Sequence, residues 1–294
     1  IEAVDSTYSA ATSMVNANRK TTYGPFCIAI DNSNPVVTET LVKTEDTQYV
    51  NEKSATVDFG GTIADDWEIS KLNVFVEYTK ADSSDGTSAE KIEELKTSYT
   101  LFPDSKWTHI LNLAGTDYKD GLYKVTFTAT DAAGKTSSVV RTVYKDTQIP
   151  EFGNSTIRDK NDSGYKAENV KPYITTPSVN GWYNTNSLTV IGGISDSASG
   201  VKKVEYTLDN TSENPSWTEL SGTSSFGGTI AGIQHGGTIK LRATDNAGNA
   251  VNYDALSGIQ IDTGVPSAVI TKIDGSEEGI GNKLSNGKTD ILLE

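Results

Sequence analysis

The sequence is poor in the side chains that carry most enzymatic and redox chemistry. It has one cysteine, Cys27, and two histidines, His109 and His235. One cysteine excludes an intrachain disulfide, and we expect Cys27 to be a small buried hydrophobe on a strand. Neither histidine stands beside a Gly-x-Ser-x-Gly, phosphate-loop or His-x-x-x-His pattern. The sequence therefore predicts that this chain is not an enzyme.

Positive charge and long apolar runs are also scarce. Lysine and arginine number 25 against 39 aspartate and glutamate, a net charge of -14. Such a chain repels nucleic-acid phosphates and anionic lipids, so we expect no nucleic-acid partner and favour cations as ligands. No apolar run approaches the roughly 20 residues that span a bilayer, so no membrane insertion is expected in these residues. Ile1 does not begin a signal peptide, and any anchor or export signal is expected to lie outside them.

One set of sequence motifs recurs along the chain. An Asp-x-x-x-Pro motif begins at Asp31, Asp146 and Asp262, at intervals of 115 and 116 residues. An Ala-Thr-Asp motif, followed closely by glycine, ends at Asp131 and again at Asp245, and it precedes the last two copies of the Asp-x-x-x-Pro motif. Intervals of this length correspond to one all-β module, so the pattern predicts a tandem array.

Short runs of alternating apolar and polar residues lie between these motifs. They predict about seven strands per module, the number found in an Ig-like sandwich. We therefore predict an all-β fold of tandem Ig-like antiparallel β-sandwiches. Residues 1–29 are expected to be the C-terminal strands of a preceding module. Residues 30–147 and 148–264 are two complete modules, and 265–294 begin a following one. The run Ala89–Lys96, within 87–99, is predicted to form a short helical insertion in the first module.

The second module resembles the bacterial Ig-like repeats found in tandem in surface proteins and beside extracellular glycan-active enzymes. The motifs that carry the resemblance are Asn180–Thr185, Ser195–Val201, Val204–Asp209, Trp217, Arg242–Asn249 and Ile261–Thr263. It covers 147–264 well and 30–146 more weakly, because Asp65–Ile69 replaces the Asp-x-x-Ser-Gly turn. It implies an Ig-like sandwich, an extracellular location at the cell surface or in secreted form, and an accessory role, without specifying a ligand.

Acidic residues recur at the predicted module ends. Asp131 and Asp245 each stand at the end of a strand before a turn, where the side chain can accept N–H groups of its own turn. A calcium site at each module junction is the alternative, since calcium takes six to eight oxygen ligands. In that case Asp131 is expected to meet Asp146, and Asp245 to meet Asp262. The candidate metal ligands are Asp5, Asp31, Asp131, Asp146, Asp245 and Asp262.

Aromatic residues offer a second candidate site. Sugars stack on exposed aromatic rings, and Trp182 with Tyr183 is the best pair for glycan contact, although a tryptophan in such a sandwich more often packs in the core.

The leading functional hypothesis is a non-catalytic stalk of serial modules, partnered by its neighbours in the same chain, that displays a distal domain. Pro150 and Pro266 would keep the linkers short and stiff. An adhesive module for a host-surface protein or glycan, or an accessory module of an extracellular glycan-degrading enzyme, are the alternatives.

Overall fold

The structure is a computed structural model, and it describes residues 2–4, 20–22, 30–42, 47–80, 89–91, 105–267, 270–273 and 291–293. Within these ranges the chain is built from strands, with one 3-10 helix at Ala167–Asn169. None of the described helical structure is long and apolar enough to cross a membrane.

Paired strands lie at both ends of the chain. Near the N-terminus β1 (Glu2–Val4) pairs antiparallel with β2 (Lys20–Thr22). Between them and the C-terminal pair lie two larger groups of strands, each a pair of facing sheets, which we call the first and second sandwich. The assignment of residues 1–29 and 265–294 to neighbouring modules stays a prediction.

The described residues of the first sandwich form eight strands. In chain order they are β3 (Val36–Val37), β4 (Gln48–Val50), β5 (Thr56–Ala64), β6 (Ile69–Lys80), β7 (Ala89–Lys91), β8 (Ser105–Asn112), β9 (Gly121–Asp131) and β10 (Thr136–Lys145). One sheet has the order β3-β5-β8 and the other β4-β10-β9-β6-β7. All pairs are antiparallel except β4 with β10, which run parallel.

The core of the first sandwich lies between these two sheets. In β9 the residues Tyr123, Val125 and Phe127 alternate with more exposed neighbours and are fully buried. The ring of Phe127 contacts Phe59 and Trp107 of the facing sheet, at centroid distances of 5.2 and 4.6 Å. The Trp107 indole N–H donates to the carbonyl of Thr38. The alternation of buried and exposed residues thus turns one face of each sheet toward the core.

The second sandwich repeats this arrangement. Its strands are β11 (Glu151–Phe152), β12 (Tyr173–Ile174), β13 (Trp182–Tyr183), β14 (Leu188–Ser195), β15 (Val201–Thr207), β16 (Thr218–Leu220), β17 (Ser225–Ile230), β18 (Gly237–Asp245) and β19 (Ala250–Ile261). Strand β14 pairs with β11, β12 and β17, and the facing sheet has the order β13-β19-β18-β15-β16. Here too one pair, β13 with β19, is parallel. The core is separate from that of the first sandwich. The C-terminal pair, β20 (Ile270–Ile273) and β21 (Ile291–Leu293), follows it. The prediction of tandem Ig-like sandwiches is confirmed.

A cross-strand ion pair occupies the same place on both outer faces. Glu77 lies opposite Lys124, and their side chains are 3.2 Å apart. Glu205 lies opposite Arg242, at 2.8 Å. Glu205 also accepts a hydrogen bond from Lys203 and is only 6% exposed. Glu205 is therefore buried although it lies on the outer face of the sheet, because two basic side chains cover its carboxylate.

The prediction of a short helix within residues 87–99 is wrong for the part of this segment that the structure describes. Ala89–Lys91 form β7, which pairs antiparallel with Glu77–Thr79 of β6. An isolated helix of eight residues is marginal in water, whereas the edge of β6 offers unpaired backbone groups to a passing segment. The rest of the expected insertion, including 92–99, lies outside the described residues.

Candidate functional site

The linker aspartates share one local structure. Oδ1 of Asp31 accepts the N–H of Ser33 at 3.0 Å, Oδ1 of Asp146 that of Gln148 at 2.9 Å, and Oδ1 of Asp262 that of Gly264 at 2.8 Å. Each aspartate thus fixes the turn that leads toward the next proline, which is the usual role of a short acceptor side chain in a turn. The recurring Asp-x-x-x-Pro motif has this structural meaning in all three copies.

The strand-end aspartates cap their own turns. Oδ1 of Asp131 accepts the N–H of Lys135 at 2.9 Å, and Oδ1 of Asp245 accepts that of Asn249 at 2.8 Å. Both residues are almost completely buried, with exposed fractions of 1% and 0%. The turn-capping interpretation of these two residues is therefore confirmed, and in each case it uses one of the two carboxylate oxygens.

Two groups of carboxylates form where the linkers meet the turns. We call Asp31, Asp65 and Asp131 the first acidic cluster, and Asp146, Asp196 and Asp245 the second. In each cluster one carboxylate oxygen from every member lies within 4.8 Å of the other two. The structure brings four predicted metal ligands together, but it pairs Asp31 with Asp131 and Asp146 with Asp245. The expected pairing was wrong because each strand-end aspartate meets the linker before its own module and not the linker after it. Asp262 is exposed and is not part of either cluster, and Asp5 lies outside the described residues.

The third member of each cluster was missed in the sequence. Asp65 follows β5 and Asp196 follows β14, so both lie at the same position of the repeat. The alignment of the two modules already placed Asp65 where the Asp-x-x-Ser-Gly turn begins, and that coincidence was the available signal. It was obscured because the residues after Asp65 differ from those after Asp196.

The second cluster is supplied with hydrogen-bond donors. Asp146 accepts Ser199 N–H on Oδ2 at 3.0 Å, in addition to the bond on Oδ1. Oδ1 of Asp196 accepts the N–H groups of Ala198 and Gly200. The Asn249 side-chain amide donates to Oδ2 of Asp245 at 2.8 Å and to the carbonyl of Asp146 at 2.9 Å. No oxygen of this cluster is both buried and without a partner among the described residues.

The first cluster is supplied differently, because Lys135 stands where the second sandwich has Asn249. Its ammonium contacts the carbonyl and Oδ1 of Asp31, the latter at 2.9 Å, and the carbonyl of Ser33 at 2.9 Å. Within the described part of the chain, three buried oxygens of this cluster have no hydrogen-bond partner: Asp31 Oδ2, Asp65 Oδ1 and Asp131 Oδ2.

The electrostatic environments of the clusters also differ. The hydrogen bond from Lys135 is the main cause that holds the pKa of Asp31 below its ordinary value. Burial raises the pKa of Asp245, and the neighbouring charge of Asp146 adds to that effect, while hydrogen bonds from Asn249 oppose it. A basic side chain therefore offsets part of the negative charge of the first cluster, whereas N–H groups stabilise the negative charge of the second.

The second cluster also lies at a direct contact between the sandwiches. Asp146, which ends the first sandwich, is fully buried, and its N–H donates to Val50 at 2.9 Å. The Asn51 side chain of the first sandwich donates to the carbonyl of Ala247 in the second at 2.9 Å. Bonds from Ser199 and Asn249 reach Asp146 from the other side. We call this set of contacts the joint.

Comparison with known proteins finds weak structural similarity and no match in sequence. No family model matches the chain, and no curated protein sequence matches it. Among solved structures, a Ca2+-stabilised adhesin that helps an Antarctic bacterium bind ice is 16% identical, with 83% of this chain and 53% of that one covered and a TM-score of 0.34. A tetra-tandem repeat from the extending region of a large adhesion protein is 15% identical, with 77% and 52% covered and a TM-score of 0.30. The periplasmic chaperone SfaE is 11% identical, with 76% and 100% covered and a TM-score of 0.29.

The chain thus spans about half the length of both adhesin structures. With TM-scores below 0.5, these similarities carry no argument about the fold or the function of this chain.

The two candidate glycan residues lie in different environments. Trp182 is 46% exposed, and its indole stacks on the His235 ring with centroids 5.4 Å apart. Tyr183 is half-buried and packs against the core of the second sandwich. These neighbours in β13 point to opposite sides, as alternation requires. Glycan contact through Trp182 and Tyr183 remains a prediction.

Proposed function

We propose that this chain is a non-catalytic stalk of tandem Ig-like modules that holds a distal functional domain away from a bacterial cell surface. The observation that carries the proposal is the joint. A linker that merely tethers two domains is exposed and makes few contacts, whereas Asp146 is completely buried and receives hydrogen bonds from the second sandwich.

The joint restricts both ends of the short connection. The backbone of Asp146 is tied to Val50 of the first sandwich, while its carboxylate and carbonyl are tied to Ser199 and Asn249 of the second. Pro150, four residues later, is buried and has a fixed φ. A connection held in this way limits bending between modules, which is the mechanical property that a spacer requires.

The rigidity of the joint is testable by pulsed electron resonance. Spin labels are placed at Lys106 and Glu219, exposed positions on the two sandwiches, in a Cys27→Ser background of the full chain. We expect a narrow distance distribution in this protein and a clearly broader one in Asp146→Ala, because the hydrogen bond from Ser199 N–H to the carboxylate is lost.

Gln148→Ala is the matched control. Gln148 is exposed and lies in the same linker, and only its backbone N–H contributes to the turn, so the narrow distribution is expected to persist. A broad distribution in the parent protein would refute the stalk proposal, since the modules would then move independently.

A further inference from the structure

Unpartnered carboxylate oxygens concentrate in the first acidic cluster. Seven buried side-chain atoms lack a hydrogen-bond partner among the described residues, and three of them belong to Asp31, Asp65 and Asp131. A buried ionised oxygen without a partner costs the full desolvation penalty of the group, which a hydrogen bond or an ion would offset. The Asp31 side chain is 8% exposed and Asp131 is 1% exposed, so bulk water does not reach them freely.

Geometry and charge both fit a divalent ion at this place. Oxygens bound to one calcium ion lie about 2.3 to 2.6 Å from it, so ligands on opposite sides are about 5 Å apart. The cluster oxygens within 4.8 Å of one another meet that limit. Three carboxylates and the Lys135 ammonium carry a net charge of -3 + 1 = -2, which one divalent cation neutralises. All three side chains offer hard oxygen ligands and none offers nitrogen or sulfur, which favours calcium over zinc.

We propose that Asp31, Asp65 and Asp131 bind a calcium ion, and that the second acidic cluster, although built from the same three repeat positions, is closed by hydrogen bonds and needs no ion. The residue that separates the two cases is Lys135 or its counterpart Asn249. Asn249 donates its side-chain amide to Oδ2 of Asp245. The Lys135 ammonium instead contacts Asp31 and Ser33, and Oδ2 of Asp131 has no partner among the described residues. The ion joins the segment before the first sandwich to the ends of β5 and β9.

Isothermal titration of the full chain with calcium chloride, after removal of metals by chelator, tests the site. Asp131→Asn should remove one site from the stoichiometry, because an amide N–H replaces a ligand oxygen. The retained amide oxygen can still cap the turn by accepting Lys135 N–H, so the variant keeps the fold, and a melting curve checks this. Asp31→Asn is the same test at a second ligand, since it replaces one carboxylate oxygen of Asp31 by an amide nitrogen.

Asp245→Asn is the matched control, since it makes the same change at the equivalent position of the second cluster. It should leave the stoichiometry unchanged. Absence of calcium binding in the parent chain, or full stoichiometry in both Asp131→Asn and Asp31→Asn, would overturn the site. Loss of a site in Asp245→Asn would overturn the distinction between the clusters, and tighter binding of magnesium would overturn the choice of ion.

This site stands on the geometry of the first cluster alone. A chain that binds calcium yet bends freely at the joint would keep the cation site and lose the stalk proposal, and a rigid chain without calcium binding would do the reverse.

Discussion

At the scale of single residues, two buried basic side chains of the first sandwich are closely paired. Arg141 is 4% exposed and donates from Nε to Oε2 of Glu39 at 2.7 Å. The same guanidinium also donates to the carbonyls of Val42 and Glu39. Lys145, 2% exposed, donates to three carbonyls near residues 113–118. These contacts hold the loops at the ends of the first sandwich.

Removal of one partner from the buried pair should be costly. We expect Arg141→Ala to reduce the free energy of unfolding of the first sandwich by about 3 to 5 kcal/mol, because Glu39 is left as an unpaired buried charge. Urea unfolding measures the change. Lys124→Ala is the control, since it breaks the exposed pair with Glu77 and should cost no more than about 1 kcal/mol. Equal costs for the two variants would show that Glu39 finds another partner.

The residue scale also shows the limit of sequence reasoning about the acidic clusters. The repeat spacing predicted Asp31, Asp131, Asp146 and Asp245 because each recurs in a recognisable phrase. It could not predict that Lys135 and Asn249 give the clusters different chemistry. That difference depends on which atom a side chain reaches across more than 100 residues of sequence, and such contacts leave no local pattern.

At the scale of elements, paired glycines mark where a second segment crosses a strand. Gly60 and Gly61 in β5 correspond to Gly192 and Gly193 in β14. A Cβ atom on Gly61 would lie 2.0 Å from the carbonyl oxygen of Thr38, and one on Gly193 would lie 2.3 Å from that of Ala167. Backbone therefore lies directly against both strands, which only glycine permits.

Gly61→Ala should consequently destabilise the first sandwich. The backbone of Thr38 has to move away, and its carbonyl then leaves the indole N–H of Trp107. We expect a loss of about 1 to 3 kcal/mol or more, as for overpacking of a well-filled core, measured by thermal or urea unfolding. Thr62→Ala, at the exposed neighbouring position, should have a much smaller effect. A Gly61→Ala protein as stable as the parent would mean that the crossing segment is not fixed.

The strands themselves were largely predictable, and their partners were not. Alternation in β9 and the recurrence of the strand motifs were sufficient to identify the sandwich class. The parallel pairing of β4 with β10 depends on how the chain crosses between sheets, which period-two patterns do not encode. A helix was predicted at 89–96 because Ile92 and Leu95 are spaced to share one helix face, whereas the open edge of β6 decides the structure of 89–91.

At the scale of the whole molecule, the two hydrophobic cores are separate, and contact between the sandwiches is made by polar groups at the joint. Polar contacts of this kind orient domains without merging their folding units. Each sandwich should therefore unfold largely by itself, as expected for a repeat array with nearest-neighbour coupling.

Leu188→Ala tests that independence. Leu188 is fully buried in the second core, so truncation should cost about 2 to 5 kcal/mol there. We expect one unfolding transition in differential scanning calorimetry to move to lower temperature while the other keeps its position. Val140→Ala, at a partly exposed site of the first sandwich, is a control that should move neither strongly. An equal shift of both transitions would show that the two cores unfold as one unit.

The position of Asp146 also determines how tension would pass along the chain. It directly follows β10, whose neighbours on the two sides are β4 and β9, and the backbone hydrogen bonds to β9 lie across the strand direction. A pull applied at Asp146 along β10 therefore loads these bonds together in shear rather than opening them one after another. Elements with that arrangement resist extension until many bonds fail at once, so the same short crossing that orients two modules also delivers force to the strand best placed to bear it.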